Sequence, residues 1–327
     1  MKPFTMGNVT SRPGTLERGI LGSVYLLNGA PVNIPLMVLR GQEEGPVLWL
    51  SAGMHGQELV GTGIIWELIR ERLSPKSLRG TIAAVPLMNP LSFAGGTYFT
   101  PQDGFNLSSA FPGDAEGGLT ARMARLIFEE GLKKVDYVVD LHCNPEGSMM
   151  FTYAHDPTFD EVTAKGYELA RAFGLTTVDR PPKGSQIAGR GMMDVAHELG
   201  KPGILVEFFP YYSIYPVAVR VGVRGMLNVL KALKMIDGEM EPQDEALVVP
   251  GRLGILHTTA SKGGFVLPRV AAGAAVKKGQ VVADVVDAYK EPVEEIVSPV
   301  DGWMVAWPFL NQSVGTGDLV AMYIFKK

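Results

Sequence analysis

A single cysteine, Cys143, leaves this chain no intrachain disulfide, which fits a reducing compartment. No stretch approaches the ~20 apolar residues that an α-helical membrane span needs. The opening Met1-Lys2-Pro3-Phe4-Thr5-Met6-Gly7-Asn8 lacks the apolar core of a secretory signal. Excess positive charge is missing too: 30 Lys and Arg face 34 Asp and Glu, a net charge of −4, so nothing electrostatic favours nucleic acid. These absences lead us to expect a soluble, cytoplasmic protein with neither a nucleic-acid nor a membrane partner. What is present is ordinary for a globular enzyme, with 46% apolar and 20% charged residues in 327. That length holds one large core, or a core plus a smaller domain.

Apolar runs at Leu21 to Leu27, Val32 to Leu39, Val47 to Ala52, Thr81 to Pro86, Val135 to Leu141 and Gly203 to Phe208 read as strands. Helical spacing appears over about Glu58 to Leu73, Leu119 to Lys133, Asp160 to Phe173, Met192 to Leu199 and Pro216 to Met235. Residues 89 to 118 read as one long loop, rich in Gly, Pro, Ser and Asp. The alternation predicts an α/β fold, a mostly parallel or mixed sheet with helices on both faces. The acidic, Pro-containing Glu239 to Asp244 reads as a linker. Beyond it, short β-branched runs (Leu247 to Val249, Gly264 to Leu267, Gln280 to Val286, Met304 to Ala306, Leu319 to Ile324) alternate with turns. The expected division is a catalytic domain over 1–240 and a small all-β domain over 246–327.

Chemistry concentrates at strand ends. Met54-His55-Gly56-Gln57-Glu58 follows one apolar run, His142 ends a second and Glu207 a third. In open α/β sheets the carboxyl ends of the strands are where ligands bind. An imidazole and a carboxylate separated by two residues, joined by a second imidazole, leave an open position on a zinc ion. A separate glutamate is then free to act as base. His-x-x-Glu alone is weak, but Gly53 and Gly56 let this loop turn sharply and approach a ligand. Asp140 is expected either to orient a histidine ligand or to cap a neighbouring loop. Glu207, between Val206 and Phe208-Phe209, should have its pKa raised by desolvation, which suits a proton shuttle. A pairing of Glu207 with a distant Arg or Lys is the competing reading. Cys143 is expected to be a small buried thiol. His155, His197 and His257 are expected to be structural or exposed. Met149-Met150 and Met192-Met193 read as core or pocket lining.

At these residues the chain resembles the succinylglutamate desuccinylase/aspartoacylase family of the zinc carboxypeptidase superfamily. The likeness is carried by Ala52 to Glu58, Pro86-Leu87-Met88-Asn89-Pro90, Phe111-Pro112-Gly113, Asp140-Leu141-His142 and Glu207, in order, over roughly 45 to 210. Val276-Lys277-Lys278-Gly279-Gln280 and Ser298-Pro299-Val300-Asp301-Gly302 resemble a barrel-sandwich hybrid, as in biotinyl and lipoyl carriers. Ala283-Asp284-Val285-Val286-Asp287 lacks a carrier lysine, so the C-terminal domain is expected to shape or cover the site instead. The resemblance implies a zinc carboxypeptidase-like fold and one zinc ion per chain on His55, Glu58 and His142. A zinc-bound water, activated by Glu207, would attack the amide carbonyl of a small N-acylated amine or amino acid derivative.

Two family arginines are missing. One grips a substrate carboxylate just before Phe-Pro-Gly, where Ser108 and Ser109 stand after Asn106; the other polarises the carbonyl near Tyr98. Serine cannot reproduce a bidentate guanidinium contact. Tyr98, Asn106, Ser108 and Ser109 become the candidate substrate residues. Arg190 is the preferred source of the missing charge, with Arg180 and Lys183 as alternatives. Two other readings stay open: a peptidase or amidase on a peptide or cell-wall fragment, and a non-catalytic zinc- or ligand-binding relative. A small molecule is the expected partner, and assembly into a homo-oligomer stays open.

Overall fold

The computed structural model describes residues 2–180, 191–307 and 313–327. The chain opens with a hairpin, β1 (Phe4–Met6) and β2 (Val9–Ser11). Three long strands follow: β3 (Leu16–Tyr25), β4 (Pro31–Arg40) and β5 (Glu43–Ala52). Then come α1 (Val60–Glu67), β6 (Arg79–Val85), α2 (Pro90–Gly95) and α3 (Leu119–Glu130). The alternation continues through β7 (Tyr137–Cys143), β8 (Phe151–Ala154), α4 (Glu161–Phe173) and β9 (Thr176–Asp179). It closes with α5 (Met192–Glu198), β10 (Gly203–Phe208) and α6 (Pro216–Ala232). The C-terminal strands are β11 (Leu253–Thr259), β12 (Gly264–Pro268), β13 (Ala275–Val276), β14 (Val281–Val286), β15 (Pro292–Val297), β16 (Gly302–Ala306), β17 (Ser313–Val314) and β18 (Leu319–Lys326).

One twelve-stranded sheet runs β13-β16-β18-β11-β9-β8-β10-β7-β5-β6-β4-β3. Its centre, β10-β7-β5-β6, is parallel, and antiparallel pairs flank it, so the sheet is mixed. Alternating side chains build a core on each face. Leu48, Leu50, Ala52, Val139 and Leu141 pack under α1, α4 and α6. Trp49 and Val138 point the other way, to Met123 and Ile127 of α3 and Met192 and Val195 of α5. Helices therefore cover both faces, as the alternation predicts. Each buried apolar side chain is worth about 1.5–3 kcal/mol relative to exposure, so these layers fix the strand ends that carry the site.

The C-terminal strands form a separate four-stranded sheet, β15-β14-β12-β17, and also extend the main sheet, where Leu253 of β11 pairs with Val178 of β9. Phe151 and Val178 share a core with Leu253, Val305, Met322 and Ile324. The Met149 amide donates to the Val305 carbonyl at 2.9 Å.

Three expectations need correction. The long loop holds α2, started by Asn89, whose side chain accepts from the Ser92 amide. A helix of six residues is too short to leave a periodic signal. Glu245–Leu247 forms a 3-10 turn capped by Asp244 where a strand was expected at 247–249, because an Asx-type bond outcompetes strand pairing there. β7 also spans Tyr137–Cys143 where Val135 to Leu141 was expected, two residues later at each end, which makes His142 its penultimate residue.

Candidate metal centre and active site

Parallel pairing sets Ser51 of β5 beside Asp140 of β7, and Glu207 of β10 beside His142. Asp140 and His142 are two apart on one strand, so both project to the same face. The loop after β5 folds back over that edge. Gly56 presses against α2: a β-carbon there would stand 2.0 Å from the Ser92 carbonyl oxygen, so only glycine fits. The Gly56 amide donates to the Ser92 hydroxyl at 3.0 Å. His55 and Glu58 are thereby carried, buried, to His142.

Each histidine has its second nitrogen spoken for. The Asn106 Oδ1 accepts from the Ser108 amide and hydroxyl, both at 2.9 Å, and meets His55 Nε2 at 3.1 Å. An amide oxygen only accepts, so His55 Nε2 carries the hydrogen. His142 Nε2 likewise donates to Asp140 Oδ2 at 2.8 Å, while Asp140 Oδ1 accepts from the Ser51 hydroxyl at 2.7 Å. Both Nδ1 atoms then face Glu58: His55 Nδ1 lies 2.7 Å from Oε1 and His142 Nδ1 3.1 Å from Oε2.

The donor set fits a divalent metal ion. Ligand atoms of His55, Glu58 and His142 lie within 4.8 Å of one another. Among the described residues Glu58 Oε2 has no hydrogen-bond partner despite its burial. Burial raises the Glu58 pKa, but the two imidazoles outweigh it and hold the carboxyl down at about 2. Burial works against a charged His142, yet Asp140 and Glu58 keep its pKa well above the usual histidine value. A buried carboxylate between two imidazoles needs positive charge, supplied by protons or by a cation.

Glu207 stands across from this cluster. Burial pushes its pKa up to about 8, opposed by His142 and reinforced by Glu58 and Asp140. Asn144 Nδ2 donates to Glu207 Oε2 at 3.2 Å, and the Asn144 amide donates to the Phe208 carbonyl at 2.7 Å. No Arg or Lys pairs with Glu207 among the described residues, in contrast to the competing expectation.

The Tyr98 ring stacks on His55, with centroids 3.8 Å apart and planes 12° from parallel. Burial, with Glu58 and Glu207, raises its pKa, so the phenol stays protonated. Ser108 is half-buried against Asn106, and Ser109 is exposed. Arg190 and Lys183 lie outside the described residues. Arg180 is tied to Asp194 Oδ2 at 2.9 Å. It reaches the segment carrying Ser108: a β-carbon on Gly191 would stand 3.1 Å from Arg180 Nη2 and 3.2 Å from the Ser108 carbonyl oxygen. Cys143 is a buried thiol with its pKa pushed up by burial. His155 and His197 join Asp194 and Asp160 away from the cluster, and His257 lies on β11. Met150, Met192 and Met193 are core residues.

Ser51, Asn144 and Tyr211 escaped the sequence reading. Ser51 and Asn144 flank residues already singled out, and strand adjacency was the signal that could have found them. Tyr211 is described below.

Residues 44–233 match the model of the succinylglutamate desuccinylase/aspartoacylase catalytic domain. An N-alpha-acetyl-L-2,4-diaminobutyric acid deacetylase of Halomonas elongata is 28% identical over 299 residues, 89% of this chain and 85% of the relative. The product-bound ectoine utilization protein EutE (DoeB) of Ruegeria pomeroyi superposes with a TM-score of 0.84 at 25% identity, covering 98% of this chain and 97% of that one. A succinylglutamate desuccinylase/aspartoacylase of Rhodobacter sphaeroides gives a TM-score of 0.82 at 24% identity, over 97% of each chain. The Halomonas elongata relative is by name a deacetylase, and the matched family is named for deacylases, which act on amide bonds. The chain belongs to the succinylglutamate desuccinylase/aspartoacylase family.

Proposed function

We propose that the chain is a zinc-dependent deacylase that hydrolyses the amide bond of a small N-acylated amine or amino acid derivative. The observation that carries this is the buried Glu58 carboxylate between two imidazoles whose outer nitrogens are already committed, with Glu207 across from them. The Halomonas elongata relative supports the substrate class, since it is a deacetylase of an N-acetylated diamino acid.

His55, Glu58 and His142 would hold the ion. A divalent cation there supplies Lewis acidity, making water more acidic and polarising a carbonyl. Asp140 and Asn106 keep the two rings turned so that their Nδ1 lone pairs face inward. Glu207 takes a proton from the attacking water as its oxygen bonds to the carbonyl carbon. It returns that proton to the amine nitrogen as the carbon–nitrogen bond breaks, leaving a carboxylic acid and a free amine. The shift of Glu207 to about 8 places it in the range where one group both accepts and donates near neutral pH. Asn144 holds the carboxylate in position.

Replacement of Glu207 by Gln tests this. Zinc should remain at about one ion per chain, while kcat/KM on an N-acetyl amine falls by about 10²–10⁴. Hydrolysis at the wild-type rate in E207Q would remove Glu207 from the base role.

A further inference from the structure

Four buried polar atoms at the site have no hydrogen-bond partner among the described residues: Gln57 Oε1, Glu58 Oε2, Asn144 Oδ1 and the Tyr211 hydroxyl. The first three are acceptors, and Glu58 Oε2 belongs to the ligand cluster. The phenol is the hydrogen donor of the set. Buried orphan donors are rare and call for an explanation.

Tyr211 stands on a turn that is tied to the site on two sides. It sits on the turn that follows β10, three residues after Phe208. The Tyr212 amide donates to the Gln57 carbonyl at 2.7 Å, tying this turn to the loop that carries His55 and Glu58. The Tyr212 hydroxyl donates to the Gly96 carbonyl at 2.9 Å, tying it to the segment that carries Tyr98. Tyr212 itself has φ +57°, a left-handed conformation that a bulky side chain adopts only under constraint. Two bonds and the constrained backbone of Tyr212 thus hold this turn against the His55 loop and the Tyr98 segment. Its surroundings agree: the charges of Glu58 and Glu207 both act on its phenol, and Tyr98 and Cys143 are close enough to do so as well. Burial and the two carboxylates hold it protonated, so its O–H stays available to donate.

We propose that Tyr211 is a catalytic residue whose hydroxyl donates a hydrogen bond to the substrate's amide carbonyl oxygen as that oxygen gains negative charge. With Tyr98 on His55, it takes over by neutral donation the polarising role that the family resemblance assigns to an arginine absent here. The phenol keeps its proton throughout. The new bond is between water oxygen and carbonyl carbon, the broken bond is carbon–nitrogen, and the proton travels through Glu207. The assignment rests on the deacylase reading.

The test compares wild type, Glu207→Gln and Tyr211→Phe, zinc-loaded, on a panel of N-acetyl amines with and without carboxylates, together with the melting temperature of each metal-free protein. Tyr211→Phe should lower kcat by about 10- to 1000-fold, the range for losing one donor to an oxyanion. KM should stay within about threefold, because the bond strengthens only in the transition state. The metal-free variant should melt at or above wild type, since it buries one fewer unpaired hydroxyl. An active wild type with Tyr211→Phe within about twofold in kcat would overturn the assignment alone. So would a lower melting temperature in the variant, which marks a structural hydroxyl. A wild type silent across the panel would overturn the deacylase reading and this assignment with it.

Discussion

Asp140 decides which nitrogen of His142 meets Glu58. Its Oδ2 takes the Nε2 hydrogen at 2.8 Å, and Ser51 holds its other oxygen. Asp140→Asn should therefore weaken zinc binding by about 10- to 100-fold without removing a ligand, measured by competition with a chromophoric chelator. The same carboxylates fix the pH dependence. His142 has its pKa raised well above 6.5, so the metal-free site holds a proton at neutral pH that an incoming cation must displace. Apparent zinc affinity should rise with pH until the raised His142 pKa is passed, and fall as pH drops. Calorimetry in buffers of different ionisation enthalpy should show proton release on binding, and uptake without release would contradict this. His55, Glu58 and His142 were legible because each sits at the end of an apolar run. Tyr211 was not, because Glu58 and Tyr98 lie more than a hundred positions away in sequence and no spacing marks an orphan hydroxyl. Arg190, the expected substitute cation, lies outside the described residues, while Arg180, one of the alternatives, meets Gly191 beside the Ser108 carbonyl.

At the scale of elements, the site depends on how closely α1 lies on the sheet. A β-carbon on Gly61 would stand 2.7 Å from Leu141 Cβ and 2.8 Å from Ala52 Cβ. Neither neighbour is a flexible tip, so any side chain there must lift α1 from β5 and β7. Those strands carry Glu58's loop on one side and His142 on the other. Gly61→Val should cost about 1–3 kcal/mol of stability by overpacking. It should also lower zinc content at a fixed free-metal concentration, read by chelator-buffered titration; full metal content would uncouple the helix from the site. The strands and long helices were readable from alternation and from 3.6-residue spacing. What was lost is short or nonlocal: α2, β8 and β9, whose few residues give no period, and β11, whose partners are supplied by distant strands.

At the scale of the whole molecule, the C-terminal strands are built into the main sheet. Asp179 of β9, buried, meets Arg252 Nε at 2.9 Å and Lys327 Nζ at 2.5 Å. Phe151 and Val178 are wholly buried, in a core shared with Leu253 and Val305. Deleting 246–327 would uncover both and leave Asp179 without these cations. We propose the expected division as a boundary in sequence and not in stability: the 1–240 fragment should be largely insoluble or poor in zinc, checked by soluble yield and metal analysis. A soluble, zinc-loaded fragment would show that it stands alone. The bond from Met149 to Val305 has a broader consequence. The same loop begins at Asn144, which holds Glu207, so its two ends answer to different halves of the chain. Coupling of this kind is reciprocal. A substitution on β16 that shifts the Val305 carbonyl should therefore be felt at Glu207 through this loop, which makes the C-terminal strands part of what holds the general base in place.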